Sequence, residues 1–149
     1  MAVNSADFLS SAGRFSKLSD DEIIHRTVIS RAYYGLYHCA LTLADSVKVP
    51  PISACVGGTH EKVSGFYQDY MSGDRTETRL FRKIGINLLR LHGQRVKADY
   101  KLAEDVACED AAWVLQSCTT LHQEIETYGA LLGLATPVEI ENNQRAISS

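Results

Sequence analysis

The sequence predicts an all-α fold, an antiparallel bundle of four to five helices, on three observations. Apolar residues recur at three- and four-residue spacing through most of the chain, no segment sustains the alternation of a strand, and capping and stop signals fall at helical intervals. At 149 residues, one core suffices to bury about two-thirds of the surface that the unfolded chain exposes. A single domain is therefore expected over residues 1–135, with 136–149 as a flexible tail.

A short first helix is expected near Ala6 to Phe15. In Leu18-Ser19-Asp20-Asp21-Glu22-Ile23 the spacing predicts a capping box, with Ser19 as N-cap, Glu22 reaching back, and Leu18 stapled on Ile23. The second helix should run from about Asp20 to Ser46. It is apolar on nearly every side (Ile24, Val28, Ile29, Ala32, Leu36, Ala40, Leu43), as a central helix is. Pro50-Pro51 and Gly57-Gly58 make residues 48–58 a loop. Thr59 can cap a short helix carrying Val63, Phe66, Tyr67 and Tyr70. From about Thr76 to Leu91, Leu80, Phe81, Ile84, Leu88 and Leu91 share one face, and Arg75, Arg79, Arg82, Lys83 and Arg90 the opposite one. Gly93 is expected to break that helix. The last helix, from about Ala103 to Leu132, aligns Val114, Cys118, Leu121, Ile125 and Tyr128 before Gly133 and Pro137 stop it.

Net charge is -3, so the chain as a whole does not attract nucleic acid. Its distribution is uneven: Asp74 to Lys101 holds eight Lys or Arg against three acids, and Leu102 to Gln144 holds eight acids and no Lys or Arg. Either the two segments neutralise each other within the bundle, or the basic one faces phosphates. No stretch reaches the roughly 18 apolar residues of a membrane span, so a cytoplasmic protein without a membrane partner is expected. Cys39, Cys55, Cys108 and Cys118 form no CxxC pair and read as reduced thiols, not as a zinc site. Glu22-Ile23-Ile24-His25 is a lone Glu-x-x-His where a di-metal bundle needs two, and His60-Glu61 lacks the second His of a zinc protease helix. His92 and His122 stand alone and read as solvent-facing or capping. No metal or cofactor is expected.

One stretch resists a packing explanation. In "VISRAYYGLYHCA" and the Thr27 before it, Thr27, Arg31, Tyr34 and His38 form a polar stripe on an otherwise apolar helix, with Gly35 beside it to let another backbone approach, that of a helix of the bundle or of a second copy. Arg31 and His38 lie about 10 Å apart along the axis, so they would meet around a common ligand.

"SRAYYGLYHCAL" resembles the "SRAYYA-x-FHAA" helix of HEPN-domain proteins, and "RVKADY" at 95–100 resembles that family's later "R-x-x-ADY" turn. The resemblance covers about Ser19 to Tyr128. It implies a small helical bundle that dimerises, the stripe lining a groove closed by the second subunit with Gly35 near the contact. It implies a component of a toxin–antitoxin or defence module, often encoded beside a minimal nucleotidyltransferase. Several members are metal-independent endoribonucleases that use an Arg and a His a short run later, and Arg31 and His38 match that pair. His38 would then be the general base or acid at the RNA 2′-hydroxyl or leaving oxygen. Arg31 or Arg95 would hold the phosphate. Tyr34, Arg79, Arg82, Lys83, Arg90, Arg95, Asp99 and Tyr100 are the candidates for binding nucleotide or RNA. Two alternatives stand beside this. Arg31, Tyr34 and His38 form a structural network with Asp99 bridged to Arg31, or the chain is a non-catalytic module that partners a nucleotidyltransferase.

Overall fold

The computed structural model describes residues 2–133; the expected tail at 136–149 lies outside them. Five helices are present among the described residues, and no strand: α1 (Ser5–Phe15), α2 (Glu22–Val47), α3 (Thr59–Asp69), α4 (Arg75–Tyr100) and α5 (Cys108–Leu131), with a 3-10 turn at Ile52–Ala54. The all-α bundle read from the sequence is the observed one. Helix α2 is its axis, packed against each of the other four. Val28, Ile29, Ala32, Tyr33, Leu36, Ala40 and Leu43 are each at most 2% exposed, so apolar side chains all round this helix meet a neighbour. Cys108 lies beside Asp20 and His25, and His122 beside Cys39, so α5 runs parallel to α2. Helix α4 runs antiparallel to both, because Arg26 meets its C-terminus.

Several boundaries differ from the expected ones for physical reasons. Helix α2 begins at Glu22 with Asp21 as its N-cap residue, and the capping box does not form. Ser19 Oγ donates to Asp21 instead (2.9 Å), and Glu22 accepts from the Arg26 guanidinium (2.6 and 2.9 Å), a stronger partner than a backbone amide. Leu18 and Ile23 remain 66% and 68% exposed, so there is no staple. Helix α4 is capped by Asp74, which accepts from the amide of Thr76 at 2.8 Å. It does not break at Gly93. Leu91, Arg95 and Ala98, buried on either side of that glycine, hold the helix on α2 through Tyr100.

Arg26 closes the α2–α4 junction. It is 6% exposed, and its Nη1 donates to the carbonyls of Lys97 (3.2 Å), Ala98 (3.0 Å) and Lys101 (3.4 Å), and its Nη2 to that of Glu104. One guanidinium thus satisfies acceptors that the end of a helix leaves open, with its charge at the negative end of the α4 dipole.

Candidate functional site

Helices α2, α3 and α4 bring together a cluster of aromatic, histidine and arginine side chains. Tyr33, Tyr34 and Tyr37 line one side of α2. His60 stands in the first turn of α3, immediately after the Gly57-Gly58 turn. His92, Arg95 and Asp99 follow at three- and four-residue spacing on α4 and so share a face. The close seat of α3 on α4 comes from Gly85, where a Cβ would lie 2.8 Å from the Gln68 amide nitrogen and 3.0 Å from the Ser64 carbonyl. That approach leaves the His60 and His92 rings 4.6 Å apart.

Two cations meet at this point. The Arg95 guanidinium is surrounded by the rings of Tyr33, Tyr34 and Tyr100 at 5.9, 5.6 and 5.7 Å, and it pairs with Asp99 at 3.6 Å. Asp99 accepts from Ser30 Oγ at 3.2 Å, and Arg31 Nη2 makes a long contact with the same hydroxyl at 3.5 Å. Arg31 lies over the other flank of the site, 5.4 Å from the Tyr34 ring and 5.7 Å from Phe8 of α1. Arg31 and Arg95 therefore face one tyrosine ring, and the carboxylate of Asp99 pairs with Arg95 and reaches Arg31 only through the Ser30 hydroxyl. The Nε of Arg95 is buried and has no hydrogen-bond partner among the described residues.

The protonation states follow from who can donate. Arg95 Nη2 lies 3.1 Å from His92 Nε2, and a guanidinium only donates, so that nitrogen accepts and His92 carries its proton on Nδ1. Tyr33 is 1% exposed and its hydroxyl lies 2.7 Å from His60 Nδ1. Burial raises the Tyr33 pKa, so the hydroxyl keeps its proton, and the Tyr33–His60 hydrogen bond joins two neutral groups. Burial, with His92 and the Arg95 charge adding to it, lowers His60 to about 4, and burial and Arg95 lower His92. Both rings are neutral at pH 7, and the His92 lone pair is already accepting. What the cluster offers a ligand is chiefly donors, the two guanidinium groups.

Of the residues singled out in the sequence, Arg31, Tyr34, Arg95, Asp99 and Tyr100 are brought together here. His38 stands at the rim. It is exposed, with its ring 5.3 Å from Phe8 and 5.2 Å from Tyr37, and partial burial lowers its pKa. Arg31 and His38 both lie against Phe8 and Tyr34, with no hydrogen bond to each other. Asp99 pairs with Arg95, not with Arg31 as expected, because the two are four residues apart on the unbroken α4. Arg79, Arg82, Lys83 and Arg90 are exposed on the side of α4 opposite the cluster. Lys83 pairs with Glu124 of the acidic α5 at 2.7 Å, and Arg90 lies over Trp113 of the same helix at 4.4 Å. For Lys83, neutralisation within the bundle is the better description, whereas Arg90 keeps its charge and rests on a neutral ring.

Sequence reasoning missed His60 and His92. Neither belongs to a local motif, and only the docking of α3 on α4 makes them neighbours. It also left Gly35 open to a helix of the bundle or to a second subunit, and favoured the second. Gly35 is buried under α1 instead, where a Cβ would lie 2.9 Å from Leu9 Cγ and 3.0 Å from the Ser5 carbonyl, so a tryptophan there would disrupt the fold whatever the oligomeric state.

Comparison of the chain with protein-family models, curated proteins and solved structures returns no match.

Proposed function

We propose that this chain is a HEPN-type nucleotide- or RNA-binding protein whose Arg31–Tyr34–Arg95 cluster receives a phosphate of the ligand. The observation that carries this reading is the pair of guanidinium groups, 5.4 and 5.6 Å from one tyrosine ring, with one carboxylate, Asp99, paired to Arg95 and none paired to Arg31 among the described residues. Two cations against one anion leave charge for an incoming phosphate. The half-buried Tyr34, His60 and His92 rings around them supply faces on which a base can stack. The resemblance of the SRAYY and ADY segments supplies the setting, a homodimeric component of a toxin–antitoxin or defence module, with a minimal nucleotidyltransferase as its candidate partner.

Calorimetric titration with adenosine monophosphate, and with adenosine as the phosphate-free control, tests the reading. The monophosphate should bind and the nucleoside should not. Arg31→Ala should weaken binding at least tenfold, because a hydrogen bond to a charged group contributes about 1.5–3 kcal/mol. Equal affinity for the two probes, or unchanged affinity in Arg31→Ala, removes the proposal.

One observation favours a second reading. His38 is an exposed histidine beside the cluster, and burial keeps it neutral at pH 7, so it could act as a base. A ribonuclease working through it would cleave RNA in EDTA, leave a cyclic phosphate and lose activity in His38→Ala. Binding of RNA without cleavage selects the first reading.

A further inference from the structure

A second group of side chains lies where α1, α2 and α5 meet, on the side of α2 that carries Cys39. Cys39 is 7% exposed and His122 is 4% exposed. Glu126, one turn beyond His122, shares its face of α5. Cys39 Sγ, a ring nitrogen of His122 and a Glu126 carboxylate oxygen all lie within 4.8 Å of one another. Ser5 Oγ, in the first turn of α1, is 2.9 Å from His122 Nε2. Beside them opens a cavity of about 470 Å³, walled by Phe8, His38, Cys39, Thr42, Glu126 and Gly129.

Two chemistries could use a serine, a thiol, a histidine and a glutamate. A nucleophile relay needs its nucleophile on one ring nitrogen of the histidine and its carboxylate on the other. Here Ser5 and Glu126 both approach Nε2, at 2.9 and 3.8 Å, so the carboxylate cannot orient a base for the hydroxyl. Convergence on one nitrogen suits a metal ion, which takes its ligands from around a single point. Tetrahedral zinc, with bonds of about 2.0 to 2.3 Å, sets its ligand atoms somewhat under 4 Å apart, so closing this set needs about an ångström of side-chain movement.

We propose that Cys39, His122 and Glu126 form a divalent-metal site, with zinc the favoured ion and water from the cavity as its fourth ligand. One sulfur, one nitrogen and one oxygen donor match zinc better than magnesium or calcium, which take oxygen ligands. Three protein ligands beside an open cavity give the pattern of a site that accepts an exogenous group. Loading breaks the Cys39 S–H bond and releases that proton to solvent, leaving the thiolate on the metal. The Ser5 hydroxyl then turns from His122 towards the bound water. The site lies apart from the Arg95 cluster and does not depend on its reading.

Cobalt(II) reports on such a site because a coordinated thiolate gives a near-ultraviolet charge-transfer band. Titration of the metal-stripped full chain with Co²⁺ should saturate at one ion per chain with that band present, and Zn²⁺ should displace it. Cys39→Ala should abolish the band. Glu126→Gln, at an exposed position where folding is not at risk, should weaken Co²⁺ binding at least tenfold. Asp20, His25 and Cys108 form a second convergent group at the opposite end of α2, so Cys108→Ala is the control and should leave the band intact. No band in the wild type, a band that survives Cys39→Ala, unchanged affinity in Glu126→Gln, or a band lost in Cys108→Ala each overturns the assignment.

Discussion

Arg26 sits where its removal should be felt most. Its guanidinium donates to the carbonyls of Lys97, Ala98, Lys101 and Glu104 and to the Glu22 carboxylate. Arg26→Met keeps the length of the stem and deletes every donor. A buried acceptor left without a partner costs about 1–3 kcal/mol, and water at the end of α4 can reach some of these. The expected loss is about 3 kcal/mol, which lowers the urea midpoint by about 1.5 M for a slope of about 2 kcal/mol per molar. An unchanged midpoint would mean that the helix end is solvated without the arginine. In the sequence, Arg26 reads only as the i,i+4 partner of Glu22. Its second role needs α4 to dock antiparallel on α2, which no local pattern encodes. The same gap hid His60, whose neighbours come from two other helices, whereas Arg31 and Tyr34 were legible because one helix carries both.

Among the helices, two glycines of α4 should respond to alanine in opposite directions. A Cβ at Gly93 meets nothing within 4 Å, whereas one at Gly85 meets the Gln68 amide nitrogen at 2.8 Å and the Ser64 carbonyl at 3.0 Å. Gly93→Ala should stabilise the protein by about 0.5–1 kcal/mol through helix propensity alone. Gly85→Ala must push α3 away and should cost about 1–3 kcal/mol. Thermal unfolding of both variants distinguishes them, and destabilisation by Gly93→Ala would show that α4 is not continuous there. Helix existence and the buried faces of α2, α4 and α5 were readable because apolar periodicity records them directly. Expecting a break at Gly93 gave too much weight to local propensity, since the packing of Leu91, Arg95 and Ala98 outweighs one glycine.

Across the whole molecule, the depressed histidines link folding to pH. His60 falls to about 4 from an ordinary value of 6.5, and His92 is lowered too. Between those values the unfolded chain binds more protons than the folded one, so stability rises with pH through the window. The contribution is complete above 6.5 and is lost as pH falls towards 4. Carboxylates held low in the fold, Glu22 by Arg26 and Glu77 by the hydroxyls of Tyr128 and Tyr70, act in the same direction at the acid end. The histidine share is isolated by comparing His60→Gln with the wild type. Denaturant midpoints at pH 7 and pH 4.5 should differ less in the variant, and equal differences would place His60 in ordinary solvent. This dependence was not legible in the sequence, because it arises from burial between α3 and α4, whose close seat at Gly85 no local pattern encodes.

The central position of α2 also sets an order on synthesis. Of the five described helices α2 is the second to be synthesised, yet its most extensive packing partner, α5, is the last of them. Until the 24 residues of α5 have emerged, the side of α2 that carries Cys39 has no cover from that helix. At about 5–20 residues per second, translation of α5 alone lasts one to a few seconds. Helix formation and hydrophobic collapse, on the order of microseconds, are far faster. The nascent chain therefore waits with a bare apolar flank and an uncovered Cys39 thiol. Both are surfaces of the kind that misassociate while a chain is incomplete, and the docking of α5 closes them.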